Sequence, residues 1–528
     1  NFVMTITAEH FIAGQRSKAG THRFSAQNPA TSEALSPEFV EATLAELNQA
    51  VETADAACEA FAAAPAEQVA LLLESIAEEI LALGDGLLER AVAETGLPLA
   101  RLTGERGRTV NQAKLFASVV REGSWVDARI DHADPKREPL PKPDVRRLLA
   151  PIGTIGVFGA SNFPLAISVA GTDTISALGA RCPVVVKGHP AHPGTSELVA
   201  GAITRAVAKS GLPAGIFSML QGVSHEIGTA LVEHPLIEAI AFTGSLKGGR
   251  ALFDAAAKRP KPIPVYAEMG STNPVFLLPG ALQERADAIA QGYIGSVTMG
   301  VGQFCTNPGL VLGVEGPELE SFRKAAAQAA QAAAPATMLN AGIAAAFEAG
   351  VKRNSSFSHE LSRSATPADP QKTQASCVIF STDGANFEKH HQLAEEVFGP
   401  TSVIVGCKDR AELERIANHL EGHLTATIHG TPGDLLEHQW LVQKLQRKVG
   451  RIVFNGFPTG IEVCAAMHHG GPYPATSDGH FTSIGTASIL RFARPVCYQG
   501  FPEAALPPEL QDANPRKLLR LVDNQYTR

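Results

Sequence analysis

The sequence predicts an α/β protein built on parallel sheet, and three features carry that prediction. Between residues 152 and 268, short β-rich runs alternate with helical runs of about 10–15 residues, the pattern of βαβ units. A second region, 274–460, mixes an Ala-rich helix with apolar strands. Ahead of both, residues 36–95 place apolar side chains at helical spacing.

The elements follow in order. Val69, Leu72, Leu73, Ile76 and Ile80 share one helix face, and Gly84 and Gly86 break the pattern. A second helical block runs from about 98 to 121, and the Pro- and Asp-rich stretch 131–143 reads as an exposed arm. Strands are expected at Thr154–Phe158, Val184–Lys187, Ile216–Leu220, Ile237–Phe242 and Ile263–Ala267. Helices are expected from the first strand to about Ala180, near 195–209, near 224–233 and near 246–258. Five strands over this span make a Rossmann-like unit. In the second region a helix is expected around 318–334, with strands at Val403–Val405 and Ile452–Phe454. Ser488–Phe492 has β character, and Pro507 to Arg528 reads as helical at best.

Composition excludes several classes. The 528 residues carry 45 Lys and Arg against 53 Asp and Glu, a net charge of −8, which is wrong for a nucleic-acid partner. Hydrophobic residues at 45% exclude disorder on a domain scale. Seven scattered cysteines with no CxxC pair suggest neither disulfide framework nor metal site, and point to the reducing cytoplasm. The first residues lack a signal-peptide pattern, and Met4 reads as the natural start. Leu148 to Thr172 is uncharged, but its prolines, glycines and Asn162 make it a buried strand–loop–helix instead of a membrane span.

Six motifs could carry chemistry. Cys305 sits in Gly-Gln-Phe-Cys-Thr-Asn-Pro-Gly, where free backbone N–H groups could lower its pKa and hold an oxyanion. Glu268 ends a β run just before Met269-Gly270-Ser271, where a carboxylate can act as a base. Thr243-Gly244-Ser245-Leu246-Lys247-Gly248-Gly249 closes a strand and opens a helix, a setting that favours a phosphate. Asn162, in Gly-Ala-Ser-Asn-Phe-Pro, offers a neutral amide donor. Lys187 ends the second strand, where Rossmann units meet the adenosine ribose. Glu395-Glu396-Val397-Phe398-Gly399-Pro400 places carboxylates at a turn into a strand.

Together, in this order and at this spacing from about residue 10 to 500, the motifs resemble the aldehyde dehydrogenase superfamily. The resemblance implies a fold of two Rossmann-like α/β domains plus a small β oligomerisation arm. It implies that Cys305 is the thiolate nucleophile, that Asn162 and the Cys305 N–H form the oxyanion hole, and that Glu268 activates water for thioester hydrolysis. NAD or NADP is the implied cofactor. Lys187 and Glu396 would meet its riboses, Gly244, Ser245 and Gly249 its pyrophosphate, and Phe398 its nicotinamide. Where many NAD-preferring members carry a glutamate, this chain has Pro190, so NADP should be accepted.

The segments Lys187–Ser196, Thr459–Val463 and His469–Ser477 are similar to a branch of bacterial NADP-linked and 2-oxoglutarate-semialdehyde dehydrogenases. By that resemblance Phe163 and Arg108 line the aldehyde tunnel, and Arg108 would pair with a substrate carboxylate. The plainer alternative is an ion pair between Arg108 and Glu105. A medium- or long-chain aldehyde specificity would want an apolar tunnel. A CoA-acylating enzyme would lack Glu268, and a non-catalytic scaffold would need none of the three catalytic residues. The implied domains are a cofactor domain (1–130 and 151–273), a catalytic domain (274–460) and a bridging element (131–150 and 481–500) that makes a homodimer or homotetramer.

Overall fold

The computed structural model describes residues 5–528, so Met4 lies outside the described residues. Its first sheet runs in the order Val265–Glu268, Ile237–Thr243, Thr154–Phe158, Val184–Lys187, Phe217–Leu220, then the hairpin His10–Ile12 and Gln15–Ser17. The first five strands are parallel, and the hairpin adds antiparallel to Phe217–Leu220. All five expected strands are present, within two residues of their expected ends. Val184, Val185 and Val186 are fully buried, as an apolar run flanked by helices on both faces requires.

Helices Leu44–Ala62, Ala66–Ala82, Gly84–Thr95 and Leu99–Glu122 form the N-terminal helical layer. Thr43 and Glu46 close a capping box at its start. Val69, Leu72, Leu73, Ile76 and Ile80 face the core at no more than 1% exposure, each contributing roughly 1.5–3 kcal/mol of burial. Two readings need correction here. Residues 36–40 belong to a strand, Glu33–Val40, paired with Arg23–Asn28. The helix after the first parallel strand begins only at Thr172. Residues 159–171 form a buried loop instead, because Pro164 disfavours helix at the residue before it.

The second sheet has the order His359–Arg363, Val378–Asp383, Thr401–Cys407, Leu310–Val314, Val275–Leu277, His423–His429, Val449–Phe454, and all but the first strand run parallel. Pro317–Ala332 is the expected Ala-rich helix.

A third sheet joins Ala493–Gln499, Val145–Pro151, Arg129–Asp131, Arg520–Val522 and Gln525–Thr527. Its longest pairing, at one edge, holds register from Ala493↔Pro151 to Gln499↔Val145. Two C-terminal readings are corrected by it. Thr486–Phe492 is a 3₁₀ turn with the strand following it, and the tail after Pro507 ends in a β-hairpin that extends this sheet. Among the described residues, no helix is long and apolar enough to cross a membrane.

Candidate active site

Four motif positions fall at the carboxyl ends of adjacent parallel strands. Glu268 ends Val265–Glu268, Gly244 and Ser245 follow Ile237–Thr243, Asn162 follows Thr154–Phe158, and Lys187 ends Val184–Lys187. Three strand spacings separate Glu268 from Lys187, about 14 Å along the sheet edge. Open α/β sheets bind ligands outside this edge.

Cys305 arrives from the second region. Gly300, Val301 and Gly302 all have positive φ (56°, 59° and 67°), a tight left-handed turn that costs Val301 strain. A Cβ at Gly302 would lie 2.2 Å from the Gly399 carbonyl carbon, so only glycine lets the nucleophile loop pack on the Phe398-Gly399-Pro400 turn. Asn273 Nδ2 donates to the carbonyls of Cys305 and Asn307, each at 2.9 Å, and fixes the loop from the other side.

Three acid–base groups then meet. His469 Nε2 lies 3.5 Å from Cys305 Sγ and 2.9 Å from Glu268 Oε1. The Ser483 hydroxyl donates to Glu268 Oε2 at 2.6 Å. His469 reaches this position because Ala475–Ser477 runs along the Glu268 strand, with Met269 N bonded to Ala475 O at 2.8 Å and Ser477 N to Ala267 O at 3.0 Å. Burial pushes the Glu268 carboxyl up, but His469 and the Ser483 hydroxyl more than offset it and hold the carboxyl below its usual range. Burial first, then the Glu268 charge, push the Cys305 thiol well above its ordinary value. This corrects the expectation that backbone N–H groups lower the Cys305 pKa: the pair rests as thiol and carboxylate.

Asn162 is buried, and its Nδ2 donates to Gln303 O at 3.1 Å, two residues before the nucleophile. Arg101 pins the Asn162 carbonyl at 2.6 Å and lies over the rings of Phe163 and Phe304. Those rings meet edge to face at 5.4 Å, with Ile461 and Val463 packed beside them. Arg108 stands over the Phe163 ring, 5.3 Å from its centre, with Nε and Nη2 buried and without hydrogen-bond partners. Glu105 is not its ion-pair partner. That carboxylate accepts from the Leu165 and Ala166 N–H groups and pairs with Arg101 at 3.7 Å. Burial lowers the Arg108 pKa, against the opposing charges of Glu105, Cys305 and Glu268.

Toward the cofactor-like edge, Ser245 caps the helix Leu246–Ala257 by accepting from Gly248 N at 3.1 Å. Gly244 and Ser245 are exposed, whereas Gly249 is buried with Met269 where its Cβ would be, and so acts in helix–strand packing. Glu396 and Phe398 line a cleft with Phe304 and Asn307. A Cβ on Gly270 would sit 2.7 Å from Glu396 Oε2, so glycine there admits the carboxylate. Burial is the main cause that pushes Glu396 up to about 7. Lys187 donates to Gly222 O at 2.6 Å, and burial brings it down to about 8. Glu41, remote in sequence, supplies a carboxylate near Lys187, but the Val223 and Ser224 N–H groups and the Ser224 hydroxyl hold it, each at 2.6 Å. The adenosine end is therefore not free of acid, as the local sequence suggested.

His469, Ser483, Asn273 and Arg101 are the site residues the sequence motifs did not single out for a role. Only His469 left a signal, inside the His469–Ser477 segment.

A nucleophile, an amide donor, a buried carboxylate and a dinucleotide-sized strand edge define an aldehyde-oxidising site, and the chain belongs to the aldehyde dehydrogenase family, whose model matches residues 16–472. It is an oxidoreductase acting on aldehydes with NAD(P). It is 50% identical to alpha-ketoglutaric semialdehyde dehydrogenase 2 of Azospirillum brasilense, over 99% of this chain and 100% of that one. It is 44% identical to the alpha-ketoglutaric semialdehyde dehydrogenase of Acinetobacter baylyi, over 98% of each. Among solved structures, gamma-glutamyl-gamma-aminobutyraldehyde dehydrogenase of Burkholderia cenocepacia shares the fold at TM-score 0.80 and 20% identity, over 94% of this chain and 97% of that one.

Proposed function

We propose that this enzyme oxidises 2-oxoglutarate semialdehyde to 2-oxoglutarate with NAD or NADP as hydride acceptor. The observation that carries the reading is Arg108, a largely buried guanidinium beside the nucleophile with Nε and Nη2 unpaired. A buried cation with unmade hydrogen bonds is costly unless an anion completes it. The substrate's carboxylate end does so while its aldehyde end lies at Cys305. The names of the two full-length relatives agree.

The residues fit the dinucleotide. Gly270 leaves room for the Glu396 carboxylate, the helix start at Gly244 and Ser245 is open, and Gln221 Oε1 near Lys187 is buried without a partner. Glu396 and Lys187 would hold the two riboses, Gly244 and Ser245 the pyrophosphate, and Phe398 the nicotinamide wall. When bound, the cofactor accepts hydride from the carbon attached to Cys305.

The chain's own groups do the rest. The Cys305 proton passes to Glu268, whose carboxylate oxygen lies within 4.8 Å of the sulfur. Sulfur attacks the aldehyde carbon, and the Asn162 amide and the Cys305 N–H stabilise the oxyanion of the thiohemiacetal. After oxidation to the thioester and release of the first proton from Glu268 to solvent, Glu268, held by Ser483, draws a proton from water, which attacks the acyl carbon and frees Cys305. An apolar long-chain aldehyde would leave Arg108 buried and unpaired, which disfavours that alternative. The same reading assigns residues 1–130 and 151–273 to cofactor binding, 274–460 to catalysis, and 131–150 with 481–500 to subunit bridging in a homodimer or homotetramer. The fully exposed edge strand Gln525–Thr527 supports an added partner there.

The test is initial-rate kinetics with NAD and NADP over 2-oxoglutarate semialdehyde, succinic semialdehyde and a long-chain aldehyde. A kcat/KM tenfold or more above the others for the 2-oxo acid, about 1.4 kcal/mol, supports the reading. Equal rates with apolar aldehydes overturn it.

A further inference from the structure

We propose that Glu268, Cys305 and His469 also form a binding site for a divalent cation of zinc type, which reversibly blocks the nucleophile. The three residues offer one ligand atom each, and these atoms all lie within 4.8 Å of one another. Thiolate, imidazole and carboxylate are the donors zinc takes. Zinc–sulfur and zinc–nitrogen distances of about 2.3 and 2.0–2.1 Å set a tetrahedral S···N edge of about 3.5 Å. The Cys305 Sγ to His469 Nε2 distance is 3.5 Å. The Nε2 to Glu268 Oε1 distance of 2.9 Å must open by about 0.5 Å to reach a tetrahedral N···O edge. Ser483 already orients the other carboxylate oxygen. Three protein ligands leave a fourth position for water.

Binding breaks the Cys305 S–H bond, forms a metal–sulfur bond and releases one proton to solvent, so occupancy rises with pH. One feature limits the affinity. An imidazole ligating through Nε2 carries its proton on Nδ1, and His469 Nδ1 is buried with no acceptor. Metal-bound histidines usually donate that proton to a partner. The site is therefore a weak, reversible one, in keeping with a residue that must be free to turn over.

The inference concerns these three side chains and stands whichever aldehyde is the substrate. Its test is titration of the reduced, metal-free enzyme with cobalt(II), read by the thiolate-to-cobalt charge-transfer absorbance. One cobalt per chain is expected, with the band lost in Cys305→Ser and the midpoint raised at least tenfold in His469→Asn. Cys497→Ser, which removes the exposed cysteine on the third sheet, should change neither. Circular dichroism of each variant separates misfolding from ligand loss, and Glu268→Gln gives an independent third arm. In the native enzyme zinc should inhibit competitively with aldehyde and be reversed by chelator. A band that survives Cys305→Ser, an unmoved midpoint in folded His469→Asn and Glu268→Gln variants, or no band at millimolar cobalt overturns the proposal.

Discussion

Replacing Glu268 by Gln should make Cys305 easier to ionise while slowing turnover. The carboxylate both accepts the thiol proton and, by its charge, opposes the thiolate. The ligand atoms lie no more than 4.8 Å apart. At that distance, with an effective dielectric constant of about 20, the repulsion is roughly 3.5 kcal/mol. Cys305 is only half-buried, so water screens part of this. We therefore expect the Cys305 pKa to fall in the variant, because the opposing charge is gone while the burial remains. The assay is the rate of Cys305 alkylation by iodoacetamide against pH, followed by mass spectrometry of the Cys305 peptide. Alkylation by a small, unpositioned reagent reports the thiolate fraction, so the charge effect decides the outcome. Turnover should fall by about two orders of magnitude or more, because hydrolysis of the thioester loses its base. A midpoint that stays within about 0.3 unit of wild type, or moves upward, would refute the coupling of Cys305 to Glu268.

Further expectations follow from the cofactor edge. Glu396 is pushed up to about 7, mainly by burial, so it is a carboxylate above that pH and a neutral acid below it. The KM for NAD should therefore rise as pH falls through 7, and Glu396→Gln should give a high KM with little pH dependence, measured at saturating aldehyde. Lys187 loses its charge as pH rises through about 8. The ratio of kcat/KM for NADP to that for NAD should drop across this range, and Lys187→Gln should abolish the drop. A ratio that does not move with pH in wild type would mean that Lys187 does not meet the 2′-phosphate.

Much of the fold was legible because it rests on local signals. Val184–Lys187 is a run of β-branched residues ended by a lysine, bounded by Pro183 and Gly188, and it folds as that strand. The helix Ala66–Ala82 buries the face its spacing marks. The motif residues were legible because strand ends carry ligands, so their place in sequence gives their place on the sheet edge. What escaped depends on contacts that sequence spacing does not encode. His469 stands 201 residues from the Glu268 it touches, and only the pairing of Ala475–Ser477 along the Glu268 strand brings them together. The carboxylate of Glu41 reaches the Lys187 end through a helix-capping role at Val223 and Ser224. Arg520–Val522 is too short to announce a strand, and it is one because Arg129–Asp131 offers it an edge. The raised Cys305 pKa follows from burial beside an acid that no local motif contains.

The most direct test of the account is a crossed comparison of kcat/KM for 2-oxoglutarate semialdehyde and pentanal, in wild type and in Arg108→Met. Losing a hydrogen-bonded charge pair to the substrate carboxylate is worth about 1.5–3 kcal/mol, roughly a 10–150-fold drop. That drop is expected for the 2-oxo acid alone, mostly in KM, with pentanal unchanged or improved. Equal losses for both aldehydes, or none for either, would contradict the assignment of Arg108 to the substrate carboxylate and with it the proposed substrate.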